Sequence, residues 1–188
     1  DFSWREFVNC NNSELLGAYG NFINRNLVFI AKSFDTRVPI GDLDEGIKTR
    51  IAKLYAEIGE LISIGEVKTA IRTIFSFIRD SNKYFDENKP WITVKEDIRK
   101  CNDTLYTSVC IIANLAVLLE PFLPESSNKV IRWFKLSRNW SVQEVPAKYE
   151  IPLTEILFER IDKKIEPLPT AVFRDCPICV NPRPGQTM

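Results

Sequence analysis

The sequence predicts an all-α protein: an antiparallel bundle of about five helices followed by a Pro-rich extended C-terminal arm. Three observations predict it. Apolar residues recur every three or four positions in five successive stretches, the spacing that lines one face of a helix. Glycine is sparse, with 7 among 188 residues, so long uninterrupted stretches favour helix. After Ser137 the helical period gives way to short apolar pieces punctuated by Pro146, Pro152, Pro167 and Pro169. The expected division is a helical bundle over 1–136, an arm packed on it over 137–174, and a flexible tail over 175–188, where Pro, Gly and Asn accumulate without apolar period.

Taking the elements in order, Ser3 and Glu6 form a capping-box pattern for a short opening helix that would carry Trp4, Phe7 and Val8 inward. The polar cluster Cys10-Asn11-Asn12-Ser13 allows a break, with Ser13 as N-cap of a long helix reaching about Phe34. Its stripe is Leu16, Tyr19, Ile23, Leu27 and Ile30, widened by Leu15, Phe22 and Phe29. Asp35 to Asp44, with Pro39 and Gly41, reads as a loop, and paired acids such as Asp42/Asp44 and Asp86/Glu87 read most simply as caps or solvated charges at helix starts and ends. The second helix presents Ile47, Ile51, Leu54, Tyr55, Ile58 and Leu61, and Gly65 supplies its C-terminal stop. Glu66 starts the third almost at once, so the two form an antiparallel hairpin.

The third helix, with Val67, Ala70, Ile71, Ile74, Phe75 and Ile78 inward, runs into Asn82-Lys83-Tyr84-Phe85-Asp86-Glu87-Asn88-Lys89-Pro90-Trp91. Pro90 cannot continue that helix and steers Lys89 out of the right-handed helical region. Trp91 is therefore placed at a helix–helix corner, where its flanks can hold the ring rigidly while one face stays open. Thr93 and Glu96 suggest a capping box for the fourth helix, whose stripe is Ile98, Cys101, Leu105, Val109 and Ile112. Its apolar run from Val109 to Leu119 falls short of the roughly 18 residues of a membrane span and reads as a buried core helix. Pro121 and Pro124 lead to a fifth helix over about 125–136, with Val130, Ile131, Trp133 and Phe134 apolar.

Charge and residue inventory narrow the chemistry. Lys+Arg and Asp+Glu number 25 each, which supplies no generic polyanion-binding surface, so RNA binding would have to rest on a few placed groups or on help from another part of a larger protein. The chain has no His, which excludes Ser–His and Cys–His catalysis and His-bearing metal sites from it. No G-K-[ST] phosphate loop is present. Five cysteines, an odd number scattered over helical stretches, point to reduced thiols and an intracellular setting. Cys176-Pro177-Ile178-Cys179 is the one metal-like spacing, and with no second C-x-x-C it lacks the four ligands of a tetrahedral zinc site. The charged start, Asp1 to Glu6, has no signal-peptide core, and an opening residue other than Met suggests a piece of a longer protein.

On the first long helix, Gly17, Asn21, Arg25 and then Val28 or Lys32 recur at about one turn, within Gly20-Asn21-Phe22-Ile23-Asn24-Arg25. This N-x-x-x-R segment, together with the aromatic-acid-Pro-Trp stretch ending at Trp91, resembles the C-terminal anticodon-binding domain of the methionyl-tRNA synthetases, a class I family. The likeness runs in order and element type from roughly Ser3 to Leu136 and weakens in the arm. It implies that Asn21, Arg25 and Trp91 contact the anticodon bases, with the indole stacking on the first of them. The residue types suit that role, since Asn offers donor and acceptor to a base edge, Arg a planar donor fork, and Trp a stacking surface. Asn88 and Lys89 are weaker candidates, and Lys89 or Lys95 can meet a phosphate.

The same resemblance implies a parent enzyme that joins methionine to initiator and elongator methionine tRNA using ATP. This bundle would check the CAU anticodon in the cytoplasm, with tRNA and its own catalytic domain as partners and neither membrane nor DNA involved. The signature motifs of class I amino-acid activation are absent, so the piece holds no catalytic residue, metal or cofactor of its own, and ATP belongs to the missing catalytic domain. Against this stands a helical protein–protein interaction module without nucleic-acid binding, in which Trp133 and Trp140 would be exposed and Trp91 buried.

Overall fold

A computed structural model describes residues 3–152 and 155–162. The Cys176-x-x-Cys179 pair, Pro167, Pro169 and the expected tail lie outside the described residues. Within the described residues seven α-helices follow one another: α1 (Trp4–Cys10), α2 (Asn21–Ser33), α3 (Glu45–Ser63), α4 (Val67–Asn88), α5 (Pro90–Glu96), α6 (Ile98–Leu119) and α7 (Pro124–Phe134). A π-helical stretch, Asn11–Gly20, joins α1 to α2 without a break. Counting Trp4–Ser33 as one rod, the bundle has the five rods expected, plus the seven-residue α5 at the corner.

The centre of the bundle is α6. Every residue from Thr107 to Leu119 is buried, on all sides of the helix, because α3, α4, α2, α5 and α7 all pack against it. By length and composition α6 could cross a membrane, but most of it is enclosed by the other helices, and its apolar girth is what a central core helix requires. Two polar side chains, one buried in that core and one partly buried on the arm, tie the arm down. The amide of Asn114 donates to the Cys110 and Gln143 carbonyls, and its oxygen accepts from the Gln143 N–H and the Tyr55 hydroxyl. The Tyr149 hydroxyl donates to the Trp133 carbonyl at 2.7 Å, and Val145 and Ile151 are buried. The arm therefore runs over the bundle without regular secondary structure of its own through its described part. Its one ladder contact among the described residues is an antiparallel bridge between Arg37 and Glu150.

Several local expectations hold for the stated reasons. Ser3 accepts from the Glu6 N–H, and Asp44 caps α3 through the Ile47 N–H. Gly65, at φ 79°, closes α3 with the Gly65 N–H on the Ile62 carbonyl and the Glu66 N–H on the Leu61 carbonyl.

Four expectations are corrected. Trp4 and Phe7 are not carried inward: they are 43% and 46% exposed, and only Val8 of α1 is buried. The break at Asn11–Ser13 is replaced by π-helix, and the Ser13 hydroxyl donates to the Asn9 carbonyl instead of capping a new helix. Gly17 permits that wider winding, since a Cβ there would stand 3.0 Å from the Asn12 carbonyl oxygen. Thr93 lies inside α5 with its hydroxyl on the Lys89 carbonyl, and Asp97 caps α6 through the Lys100 N–H. Ile98 and Val67 are 53% and 47% exposed, not turned inward, because each sits on the first turn of its helix (α6 and α4) before that helix enters the core.

Candidate nucleic-acid interface

The site is built where α4 ends. Asn88 is the last residue of α4, and its amide donates to the Tyr84 carbonyl one turn back. Lys89 then adopts the left-handed conformation, φ 47° and ψ 59°, and Pro90 takes the first position of α5, where its missing N–H costs nothing. This reversal buries Pro90 and turns Trp91 outward, leaving it 45% exposed. The indole is not loose: it leans on buried Phe85 with ring centroids 5.9 Å apart and planes tilted by 44°.

Arg25 comes to the same place from α2. Its guanidinium lies 4.3 Å from the Phe85 ring centroid, and Nη2 is 2.5 Å from the Asp86 carboxylate. Phe85 is thus a shared floor, with the indole against it on one side and the guanidinium over its face. The cation is half-buried and already paired, so it is held in orientation, while the Asp86 side chain remains 56% exposed. Two further contacts fix the register of α4 against the π-helical stretch: the Asn82 amide donates to the Ala18 carbonyl, and Arg79 pairs with Glu14 at 2.9 Å.

Asn21 opens α2 one turn before Arg25, on the same exposed side, and its side chain makes no hydrogen bond among the described residues. It lines a cavity of about 340 Å³ between α2 and the arm. The structure therefore brings Arg25 and Trp91 together through Phe85, and sets Asn21 beside them. Of the weaker candidates, Asn88 is spent on its own helix end, while Lys89 is exposed at the corner, with no ion pair among the described residues. Asp86, expected merely to solvate a helix end, is the partner of Arg25, whereas Glu87 does pair along its own helix with Lys83 at 3.7 Å. Asp86 and Phe85 are the members that sequence reasoning missed. Arg25 and Asp86 are 61 residues apart, and no local period connects them.

The other aromatics are arranged differently. Trp133 is only 9% exposed, and Trp140 donates its indole N–H to the Tyr55 carbonyl at 3.0 Å while lying edge-on to the Tyr55 ring. Of the interaction face expected from Trp133 and Trp140 with Trp91 buried, only Trp140 is as that reading has it, at 40% exposed, while Trp133 is buried and Trp91 is 45% exposed. Thiol chemistry is also disfavoured at Cys101 and Cys110. Both are buried, and burial pushes the Cys110 thiol up to about 11 and the Cys101 thiol in the same direction, which keeps them protonated and poorly nucleophilic. No group of three or more potential metal ligands occurs among the described residues.

Comparison with known proteins gives the family and the fold. Methionine–tRNA ligase 1 of Alkaliphilus oremlandii is 47% identical over 166 residues, covering 88% of this chain and 31% of that protein. A methionine–tRNA ligase of Bacillus anthracis is 47% identical over 166 residues, covering 87% of this chain and 30% of its own length. The chain thus spans about a third of the curated relatives it matches. The crystal structure of ligand-free Mycobacterium tuberculosis methionyl-tRNA synthetase superposes with a TM-score of 0.78 at 24% identity, over 86% of this chain and 35% of that one, and shows the same fold. The family described as the anticodon binding domain of methionyl tRNA ligase matches residues 39–166, a span that includes Trp91, Phe85 and Asp86 and begins after Asn21 and Arg25. On that match the chain belongs to the anticodon-binding domain family of the methionyl-tRNA ligases.

Proposed function

We propose that this chain reads the CAU anticodon of methionine tRNAs for a cytoplasmic ligase that joins methionine to them using ATP. The observation that carries the reading is the exposure of Trp91: a large ring, held from behind by Phe85, with nearly half its surface open at a corner that also holds an oriented arginine. A loop base splayed out of its stack lies on the indole, a contact of about 1–3 kcal/mol that needs no basic surface. Arg25 supplies planar donors toward the base edge or its phosphate, and Asn21, unencumbered one turn away, supplies a donor and an acceptor. Asp86 orients Arg25 in the free protein and would have to share it when RNA arrives. The catalytic domain and its ATP lie in the remainder of the parent protein, and tRNA reaches across both.

The test is Trp91→Ala in the full-length parent enzyme. Aminoacylation kcat/KM for methionine tRNA is expected to fall roughly 5- to 150-fold, the equivalent of one lost stack. ATP–pyrophosphate exchange with methionine is expected to stay at the wild-type rate. Equal loss of both activities would point to a folding defect, and an unchanged aminoacylation rate would remove Trp91 from the interface.

A further inference from the structure

We propose that arm residues 155–161 form a releasable strap latched by Asn12, and that its opening joins two cavities into one apolar groove between α2 and α7. The strap is fastened at few points. Asn12, partly shielded from water in the π-helical stretch, donates to the Ile161 carbonyl and accepts from the Ile161 N–H, both at 2.9 Å. Asn11 donates to the Glu159 carbonyl at 3.1 Å and to the Asn12 side-chain oxygen at 3.2 Å, so the two amides make one clasp. At the other end Glu155 pairs with Lys129 at 3.1 Å. Among the described residues no backbone-to-backbone hydrogen bond fastens 155–161 to the bundle.

The ground under the strap is not close-packed. A cavity of about 340 Å³ borders it on the α2 side, and another of about 400 Å³ on the side of Leu123, Pro124 and Lys129. Leu157 and Phe158 line both, so these two side chains are the partition between them. Protein interiors are ordinarily filled, and a segment with empty space on two sides forfeits part of the dispersion attraction that would hold it. Phe158 keeps one firm contact, on the ring of buried Tyr19 at 5.8 Å between centroids, and Gly20 makes room for it. Between the fastenings Ile156 is 74% exposed. Sparse apolar contact and single hydrogen bonds in place of a ladder mark a segment that opens before the rest of the fold.

Opening is local. Upstream, the arm has its own anchors in the Tyr149 hydroxyl on the Trp133 carbonyl and in buried Val145 and Ile151. The two fastenings of the strap also differ in kind. Glu155 and Lys129 form an exposed ion pair that salt screens, whereas the Asn11–Asn12 clasp is neutral and indifferent to it. With the clasp intact, salt alone does not free the strap. With the clasp removed, the ion pair and Phe158 carry it, and salt then matters. The resident of the groove is the strap itself, a contact within one chain that is broken without unfolding a helix.

The experiment is hydroxyl-radical footprinting of the full-length parent ligase, wild type, Asn12→Ala and Asn11→Ala, at low and high salt. Tyr19, fully buried behind Phe158, reports the strap. Phe77 in α4, equally buried, reports the bundle, and Tyr149 reports the upstream arm. Losing two amide hydrogen bonds in Asn12→Ala should raise Tyr19 labelling roughly 10- to 30-fold, and losing one link in Asn11→Ala roughly fivefold. Phe77 and Tyr149 should stay at wild-type levels. High salt should raise Tyr19 labelling further in Asn12→Ala and leave the wild type unchanged, and a hydrophobic dye should bind Asn12→Ala above wild type. Wild-type Tyr19 labelling in Asn12→Ala overturns the latch, and a rise at Tyr149 equal to that at Tyr19 overturns the strap by showing the whole arm detaching. If Phe77 labelling also rises in Asn12→Ala, the bundle is unfolding and the milder Asn11→Ala decides: a rise confined to Tyr19 upholds the strap, and any other pattern overturns it. Dye binding at the wild-type level with Tyr19 exposed overturns the joined groove.

Discussion

The middle of α6 and the α4–α5 corner both carry large apolar side chains, and these meet opposite fates. Thr107 to Leu119 is buried on every side, whereas Trp91 and Ile92 stand 45% and 37% exposed. The difference lies in the neighbours. Five other helices surround α6, while the corner is turned out by one left-handed residue and one proline. Apolar surface that a fold encloses stabilises it, and apolar surface that a fold holds rigid and open is available to a ligand. The two regions should therefore separate stability from RNA recognition.

The largest expected effect is on the enclosed side. Ile112→Ala removes a fully buried side chain from α6 and should destabilise the bundle by about 2–5 kcal/mol in urea or thermal unfolding. Trp91→Ala, the variant that abolishes the proposed stack, should lose far less stability, because nearly half of the ring already faces solvent. A corner substitution as destabilising as Ile112→Ala would erase the distinction between the regions and make Trp91 a core residue.

A second effect sharpens the comparison through pH. Burial within α6 pushes the Cys110 thiol up to about 11, against roughly 8.5 in an unfolded chain. Below about pH 8.5 the thiol is protonated in both states, so its full contribution to stability is present. As pH rises toward 11 the unfolded chain loses its proton first, so stability falls across that window by on the order of 2–3 kcal/mol. Burial also raises Tyr19 and Tyr55, which continues the loss at higher pH. Cys110→Ala should start less stable at neutral pH through lost packing, yet its unfolding free energy should decline less steeply between pH 8.5 and 10. Parallel curves would show that the thiol is not the group responsible.

This division between regions also governs how much could be read in advance. The helix order, the Gly65 stop, the Asp44 cap and the Pro90 corner are local devices, each written within a few consecutive residues, and they appear where the sequence places them. The burial stripe from Tyr19 to Ile30 is likewise local periodicity. What stayed hidden depends on partners far along the chain. Arg25 meets Asp86 across 61 positions, and Asn12 meets Ile161 across 149, distances at which no spacing rule operates. The π-helical winding was hidden for a different reason: Asn11–Ser13 is equally consistent with a cap, and the choice is made by Gly17 and by the arm that the widened turn receives. Trp4 and Phe7 misled because amphipathic spacing in a seven-residue helix does not say which neighbour is there to cover it.

The smallest effect concerns Lys89, which joins the two roles at one residue. A lysine at φ 47° carries a steric cost that glycine lacks, and it precedes a proline that narrows its choices further. Against that, glycine loses more backbone freedom on folding, so Lys89→Gly should change stability by no more than about 1 kcal/mol, on the stabilising side if the left-handed strain dominates. The same substitution deletes an exposed cation adjoining Trp91 without altering the corner's backbone. If Lys89 serves only as the hinge, tRNA affinity and its dependence on salt are unchanged in Lys89→Gly. If its ammonium also meets a phosphate, affinity falls equally for cognate and anticodon-replaced tRNA, and the salt slope drops by about 1, a signature that a hinge alone cannot produce.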